Sequence, residues 1–95
     1  MKIEELRGMR EQILGMAKRH GVRRVQIFGS LARGESRKDS DVDFLVELEP
    51  GRTLLDIVAI KQDLEDLLQR RVDVVTKNAV SPYIIDEIVA QAISL

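Results

Sequence analysis

The chain has 95 residues, no cysteine, one histidine and a formal net charge of −1. This excludes disulfides and thiolate metal sites, argues against a zinc cluster, and leaves no bulk attraction to nucleic acid or an anionic membrane. Hydrophobic residues at 44% and charged residues at 33% suit one globular domain over residues 1–95, with a modest core. The N-terminal MKIEELRGMR lacks the apolar centre of a signal peptide, and no apolar run approaches the roughly 18 residues of a membrane span. A cytoplasmic protein with no membrane contact is expected. Ten of the fifteen cations are Arg, several of them near residue 35, so local anion binding stays open.

Ile3, Leu6, Met9, Ile13, Met16 and Ala17 recur at spacings of three and four, which predicts one amphipathic helix over residues 3–19, stopped by Gly21. Val22–Phe28 (VRRVQIF) reads as a strand by its β-branched and aromatic content. Gly29 and Ser30 end it, and Leu31-Ala32-Arg33 opens a helical turn before a polar loop that runs to Ser40. A second strand is expected from Asp41 to about Leu48, closed by Pro50-Gly51. Thr53 and Asp56 form a capping-box pattern for a helix that carries Leu54, Ile57, Val58, Ile60, Leu64, Leu67 and Leu68 on one period, with Arg70-Arg71 at its C-terminus. Val72–Thr76 (VDVVT) is a third strand. Ser81-Pro82 signals the start of a last helix with Ile84, Ile85, Ile88, Val89 and Ala92 as its apolar stripe. The expected class is α/β (α+β), in the order α-β-α-β-α-β-α, with every apolar helix face accounted for by one core and no separate docking patch. His20 reads as a helix-end residue and Tyr83 as packing.

The chemistry is concentrated between Ile27 and Val46. Residues i and i+2 of a strand share a face, so Asp41 and Asp43 can converge while Val42, Phe44 and Val46 face the core. Gly29 lets backbone approach phosphate oxygens where a Cβ would intrude, and Ser30 can offer its hydroxyl and N–H at the start of the short helix. Each feature alone has a plainer reading: solvated acids on an edge strand, or a strand-ending glycine with an N-cap serine. Together they supply the hard oxygen ligands and close backbone donors that metal-assisted phosphoryl or nucleotidyl transfer needs.

Gly29-Ser30, ten residues, and then Asp41-Val42-Asp43-Phe44 resembles the nucleotidyltransferase superfamily that includes the palm of DNA polymerase beta. The fuller string GSLARGESRKDSDVDFLV is similar to its smallest branch, the minimal nucleotidyltransferases (MNT), over the whole chain. That resemblance implies a nucleotidyltransferase fold with a mixed three-stranded sheet flanked by helices. It also implies a two-ion Mg2+ site on Asp41, Asp43 and a third carboxylate, Asp73, which helps to deprotonate the acceptor. Gly29 and Ser30 would hold the triphosphate of ATP. Arg33 could reach the same phosphates or pair with a site acid, two uses the sequence does not separate; Arg37 and Lys38 lie in the loop expected over the nucleotide. Ser40 is read as orienting Asp41 or ending that loop. If the three carboxylates share one site, strands two and three both begin there and run parallel, and strand one, which ends there, runs antiparallel to them.

The resemblance further implies transfer of a nucleoside monophosphate, AMP from ATP, to a protein acceptor. The partner it implies is a HEPN-domain toxin neutralised by this chain as antitoxin in a hetero-oligomer, with no direct nucleic-acid contact. The alternative is an antitoxin that neutralises its partner by occlusion, without catalysis.

Overall fold

A computed structural model describes all of residues 1–95. The N-terminal apolar period forms two helices, α1 (Ile3–Arg7) and α2 (Arg10–Arg19), instead of the single one expected. The break falls at Gly8-Met9, where the Met9 N–H reaches back only three residues, to the Leu6 carbonyl at 3.0 Å. A glycine in a helix forgoes up to about 1 kcal/mol relative to alanine, so a break there is cheap. It leaves Leu6, Ile13 and Ala17 all buried on one side. Gly21 follows α2 at φ +74°, the left-handed stop expected of it.

Strand β1 (Val22–Phe28) leads directly into α3 (Gly29–Ala32), a single turn. Strand β2 (Val42–Leu48) is followed by α4 (Leu54–Leu68), whose first turn is closed by the Thr53–Asp56 capping box. Asp56 Oδ2 accepts from the Thr53 N–H at 3.0 Å, and Thr53 Oγ1 accepts from the Leu55 N–H at 3.3 Å. Helix α4 stops at Leu68 because Gln69 turns left-handed, at φ 54° and ψ 40°. Arg70 and Arg71 therefore lie beyond the helix and not in its last turn. Strand β3 (Val72–Thr76), a 3-10 turn (Lys77–Ala79), α5 (Ile85–Gln91) and β4 (Ile93–Ser94) complete the chain.

The sheet has four strands in the order β3-β2-β1-β4, one more than expected. Strand β4 is two residues long and pairs antiparallel with Gln26 and Ile27, too short to show any period in the sequence. Strands β2 and β3 are parallel and β1 is antiparallel to β2, as the meeting of the carboxylates requires. One sheet face and α1, α2 and α4 enclose the main core, with Phe44, Ile27, Val42, Ile60 and Leu64 at its centre. The opposite face is crossed by the segment after β3: the 3-10 turn packs on β2, and α5 packs on β1 and α3.

Two expectations about apolar faces are corrected. In α4, Ile60, Leu64 and Leu68 are buried and Ile57 packs against the core, but Leu54, Leu55 and Val58 are 76%, 78% and 58% exposed, because at about 100° per residue they lie on the flank and back of the helix, away from that stripe. The last helix begins at Ile85 and not at Pro82, since the Ser81 carbonyl accepts from both Ile84 and Ile85 and a turn occupies the intervening residues. None of its residues is fully buried, and Tyr83, expected to pack, is 93% exposed. A docking surface does therefore stand out.

Candidate active site

The site is built where β1 ends and β2 and β3 begin. Alternation puts Val42 and Phe44 into the core, so Asp43 faces the other way, and parallel register sets Asp43 beside Asp73. On its other side Asp43 pairs in register with Phe28, the last residue of β1. Three strands thus bring Phe28-Gly29, Asp43 and Asp73 into one row across the sheet.

Gly29 touches that row directly. It sits at φ +74°, and a Cβ added there would overlap Asp43 Oδ2 and stand 3.1 Å from Asp43 Cγ. Only glycine permits this backbone conformation and this approach together. Ser30 follows in α3, and its carbonyl accepts from the Glu35 N–H at 2.8 Å, which closes the turn behind it.

The acids repel one another. Partial burial raises Asp43 from 3.8 to about 6, the charges of Asp73 and Asp41 push in the same direction, and Arg33 opposes them. Asp41 points elsewhere: its Oδ1 lies 3.2 Å from Arg71 Nε, so the three carboxylates are not drawn into a closed set of cation ligands. The donor chemistry nevertheless fits a hard divalent cation. It consists of carboxylate oxygens at the starts of rigid strands, with a surplus of negative charge that a cation would relieve.

The remaining expected residues are placed as follows. Arg33 projects from the end of α3, where its Nε donates to Glu35 Oε2 and a terminal nitrogen donates to Gln91 Oε1, both at 3.0 Å. It is held by a loop acid and by α5, yet its charge still reaches Asp43. The Arg37 side chain is exposed and its backbone N–H donates to Ser40 Oγ at 2.9 Å. Ser40 thus ends the loop and does not orient Asp41. His20 Nε2 and Asp63 Oδ2, 2.7 Å apart, tie the end of α2 to α4, the helix-end role expected of that histidine.

Two functional positions were not foreseen. The Arg70 guanidinium donates to the Arg37 carbonyl at 2.9 Å and also to the Lys38 carbonyl, which pins the loop beside the site. Arg71 holds Asp41. The sequence placed both cations at a helix C-terminus, and only the left-handed Gln69 redirects them.

A mixed sheet with a glycine-serine turn and facing aspartates is the architecture of a nucleotidyl-transferring domain. The nucleotidyltransferase-domain family model matches residues 9–95: the chain belongs to that family and is an enzyme of that class. It is 41% identical over 95 residues to a Methanocaldococcus jannaschii protein assigned as a protein adenylyltransferase, covering 100% of this chain and 99% of the relative. It is 38% identical over 78 residues to the protein adenylyltransferase MntA of Thermococcus cleftensis, covering 82% and 79%. Among solved structures, a minimal nucleotidyltransferase superposes with a TM-score of 0.89 at 48% identity, covering 100% of this chain and 97% of that one. A chain of a toxin–antitoxin complex solved with AMP-PNP shares the fold, with a TM-score of 0.76 at 21% identity over 88% of this chain and 69% of its own. No helix is long and apolar enough to cross a membrane.

Proposed function

We propose that residues 1–95 act as one nucleotidyltransferase domain that transfers AMP from ATP to a hydroxyl of a protein acceptor, and that this acceptor is the HEPN-type toxin of a toxin–antitoxin pair. The observation that carries the chemistry is the row formed by Gly29, Asp43 and Asp73. The protein acceptor is supported by the relatives assigned as protein adenylyltransferases. The pairing is supported by the name MntA, which the Thermococcus relative shares with one component of solved toxin–antitoxin complexes of this fold.

In the reaction the acceptor oxygen attacks the α-phosphorus, the new P–O bond forms as the bond to the bridging oxygen breaks, and pyrophosphate leaves. Backbone N–H groups at Gly29 and Ser30 bind the phosphates, since glycine leaves that backbone open to them. Asp73 on β3, the more exposed of the two facing acids, takes the proton of the acceptor hydroxyl. Asp43 and Asp73, joined by Asp41 when it leaves Arg71, are the residues that would hold Mg2+, whose charge would neutralise the triphosphate. Arg33 adds positive charge beside Asp43, and the Arg37 loop borders the nucleotide.

The test is label transfer from α-labelled ATP to the partner toxin, beside the Asp43→Asn variant. A labelled toxin band that disappears with the variant is expected. A labelled nucleic acid would replace the acceptor. An unlabelled toxin that is still neutralised by Asp43→Asn would show that binding alone protects.

A further inference from the structure

The surface carries two apolar patches of opposite charge character, and neither is used by the reaction. The first is on the opening turns of α4, where Leu54, Leu55 and Val58 stand in solvent. Two residues before Leu54, Arg52 enters the wall of a cleft of about 520 Å³ that also contains Arg23, Arg24 and Lys77. Arg23 is bound to Glu47 and Arg52 lies near Glu49 and Asp56. Arg24 and Lys77 have no ion-pair partner of their own. Their field reaches Glu47, whose carboxyl is held below its usual range first by the Arg23 hydrogen bond and further by Arg24 and Lys77. The cleft is therefore a place of surplus positive charge on a chain whose net charge is −1.

The second patch is the outer side of α5 and the turn before it. Tyr83, Ile84 and Val89 are 93%, 48% and 43% exposed. Asp86 and Glu87 lie among them in the first turn, both exposed and neither ion-paired. Each patch thus has what the other lacks. Interfaces combine an apolar centre with complementary charge around it, and exposed apolar patches with a polar rim mark such surfaces.

We infer that the occupant of each patch is the other patch on a second copy of this chain: the outer face of α5 of one copy seats against the start of α4 and the adjoining cationic cleft of the next. Asp86 and Glu87 then face Arg24 and Lys77. Made reciprocally about a two-fold axis, the contact closes on itself as a dimer, because residue i of one copy meets residue j of the other and j meets i. The inference uses only the fold and its surface and stands apart from the proposed acceptor.

Sedimentation velocity on the purified chain, from micromolar to sub-millimolar concentration, tests it. Twice the 10.8 kDa chain mass is expected, weakening as salt is raised. The double variants Leu55→Ser/Val58→Ser and Tyr83→Ser/Val89→Ser should each be monomeric yet folded, since all four side chains lie outside the core. An equimolar mixture of the two should recover a dimer, because one intact patch of each remains to meet the other. Lys77→Glu and Glu87→Lys should each weaken association, and the two together should restore it. A wild type that stays monomeric over the whole range overturns the inference, including one that associates only when the toxin is added. So does a dimer that survives both double variants, or a mixture that fails to recover.

Discussion

Asp43 and Asp73 stand directly opposite each other in the parallel ladder of β2 and β3, two carboxylates in adjacent strands with no cation side chain between them in the register. Together with partial burial, this pairing raises Asp43 to about 6. A carboxyl whose folded pKa lies above its unfolded value destabilises the fold above the folded pKa and has no such effect below the unfolded one. Asp43→Asn should therefore raise the melting temperature of the metal-free protein near neutral pH. The gain should vanish as pH falls through about 6 toward about 4, which calorimetry in the presence of a chelator would show. The same variant should lose label transfer by about a hundredfold or more. A variant that is more stable but inactive marks a residue retained for its chemistry and not for the fold.

The close approach at Gly29 makes a second prediction. Placing an L-residue in the left-handed region costs about 1–2 kcal/mol. Gly34 has the same φ of +74°, but a Cβ there meets nothing within 4 Å, whereas one at Gly29 overlaps Asp43. Gly29→Ala and Gly34→Ala should thus lose similar backbone stability, while only Gly29→Ala displaces Asp43. Thermal melts beside nucleotide titrations would separate the two effects, with a loss of nucleotide affinity of about tenfold or more expected at Gly29 alone. Equal losses of affinity in both variants would show that backbone strain is the whole effect.

Arg70 should matter more to the loop than to the chemistry. One terminal nitrogen of its guanidinium, Nη2, donates to both the Arg37 and the Lys38 carbonyls, a pair of bonds that an ammonium nitrogen can also make. Arg70→Ala should expose the Arg37-Lys38 segment to trypsin and raise the KM for nucleotide by about fivefold, the value of roughly 1 kcal/mol in an exposed setting, with kcat little changed. Arg70→Lys should fall between Arg70→Ala and the wild type, because one nitrogen makes both bonds. Unchanged trypsin cleavage at Arg37 and Lys38 would remove this role from Arg70.

The limits of these strands were legible for a physical reason. Val22–Phe28 and Val72–Thr76 are short β-branched runs bounded by glycine, arginine or polar residues, and the structure places both as read. The parallel pairing of β2 and β3 was legible too once the family resemblance put Asp43 and Asp73 in one site, because they can meet only if the starts of their strands lie together; Asp41, expected to open β2, lies just before it and pairs with Arg71. The width of the buried stripe in α4 was overread. At about 100° per residue, Leu54 and Val58 stand roughly 80° and 120° around the helix from Leu64, so they flank the stripe of Ile57, Ile60, Leu64 and Leu68 and stay exposed. Strand β4 is stabilised by pairing with Gln26 and Ile27, contacts from far along the chain that two residues cannot announce. The work of Arg70 and Arg71 depends on one backbone reversal at Gln69, a residue with no glycine-like signal for it.

The ion pair between Asp41 and Arg71 sets the last prediction. Both side chains are exposed, 48% for Asp41 and 79% for Arg71, at a separation of 3.2 Å. Such a surface pair is worth about 0–1 kcal/mol, so it holds Asp41 aside only lightly and a divalent cation can compete for the carboxylate. Removing the competitor should make that easier. Arg71→Ala should leave the melting temperature almost unchanged and tighten Mg2+ binding to the nucleotide-free protein by up to about fivefold, the equivalent of roughly 1 kcal/mol. Arg71→Lys should fall between the variant and the wild type, because a lysine keeps the charge without the guanidinium geometry. Titration calorimetry of the metal reads this without reference to turnover. Weaker Mg2+ binding in Arg71→Ala would reverse the assignment: Arg71 would then be the group that aims Asp41 into the site, and the observed pair would be the working arrangement instead of the resting one.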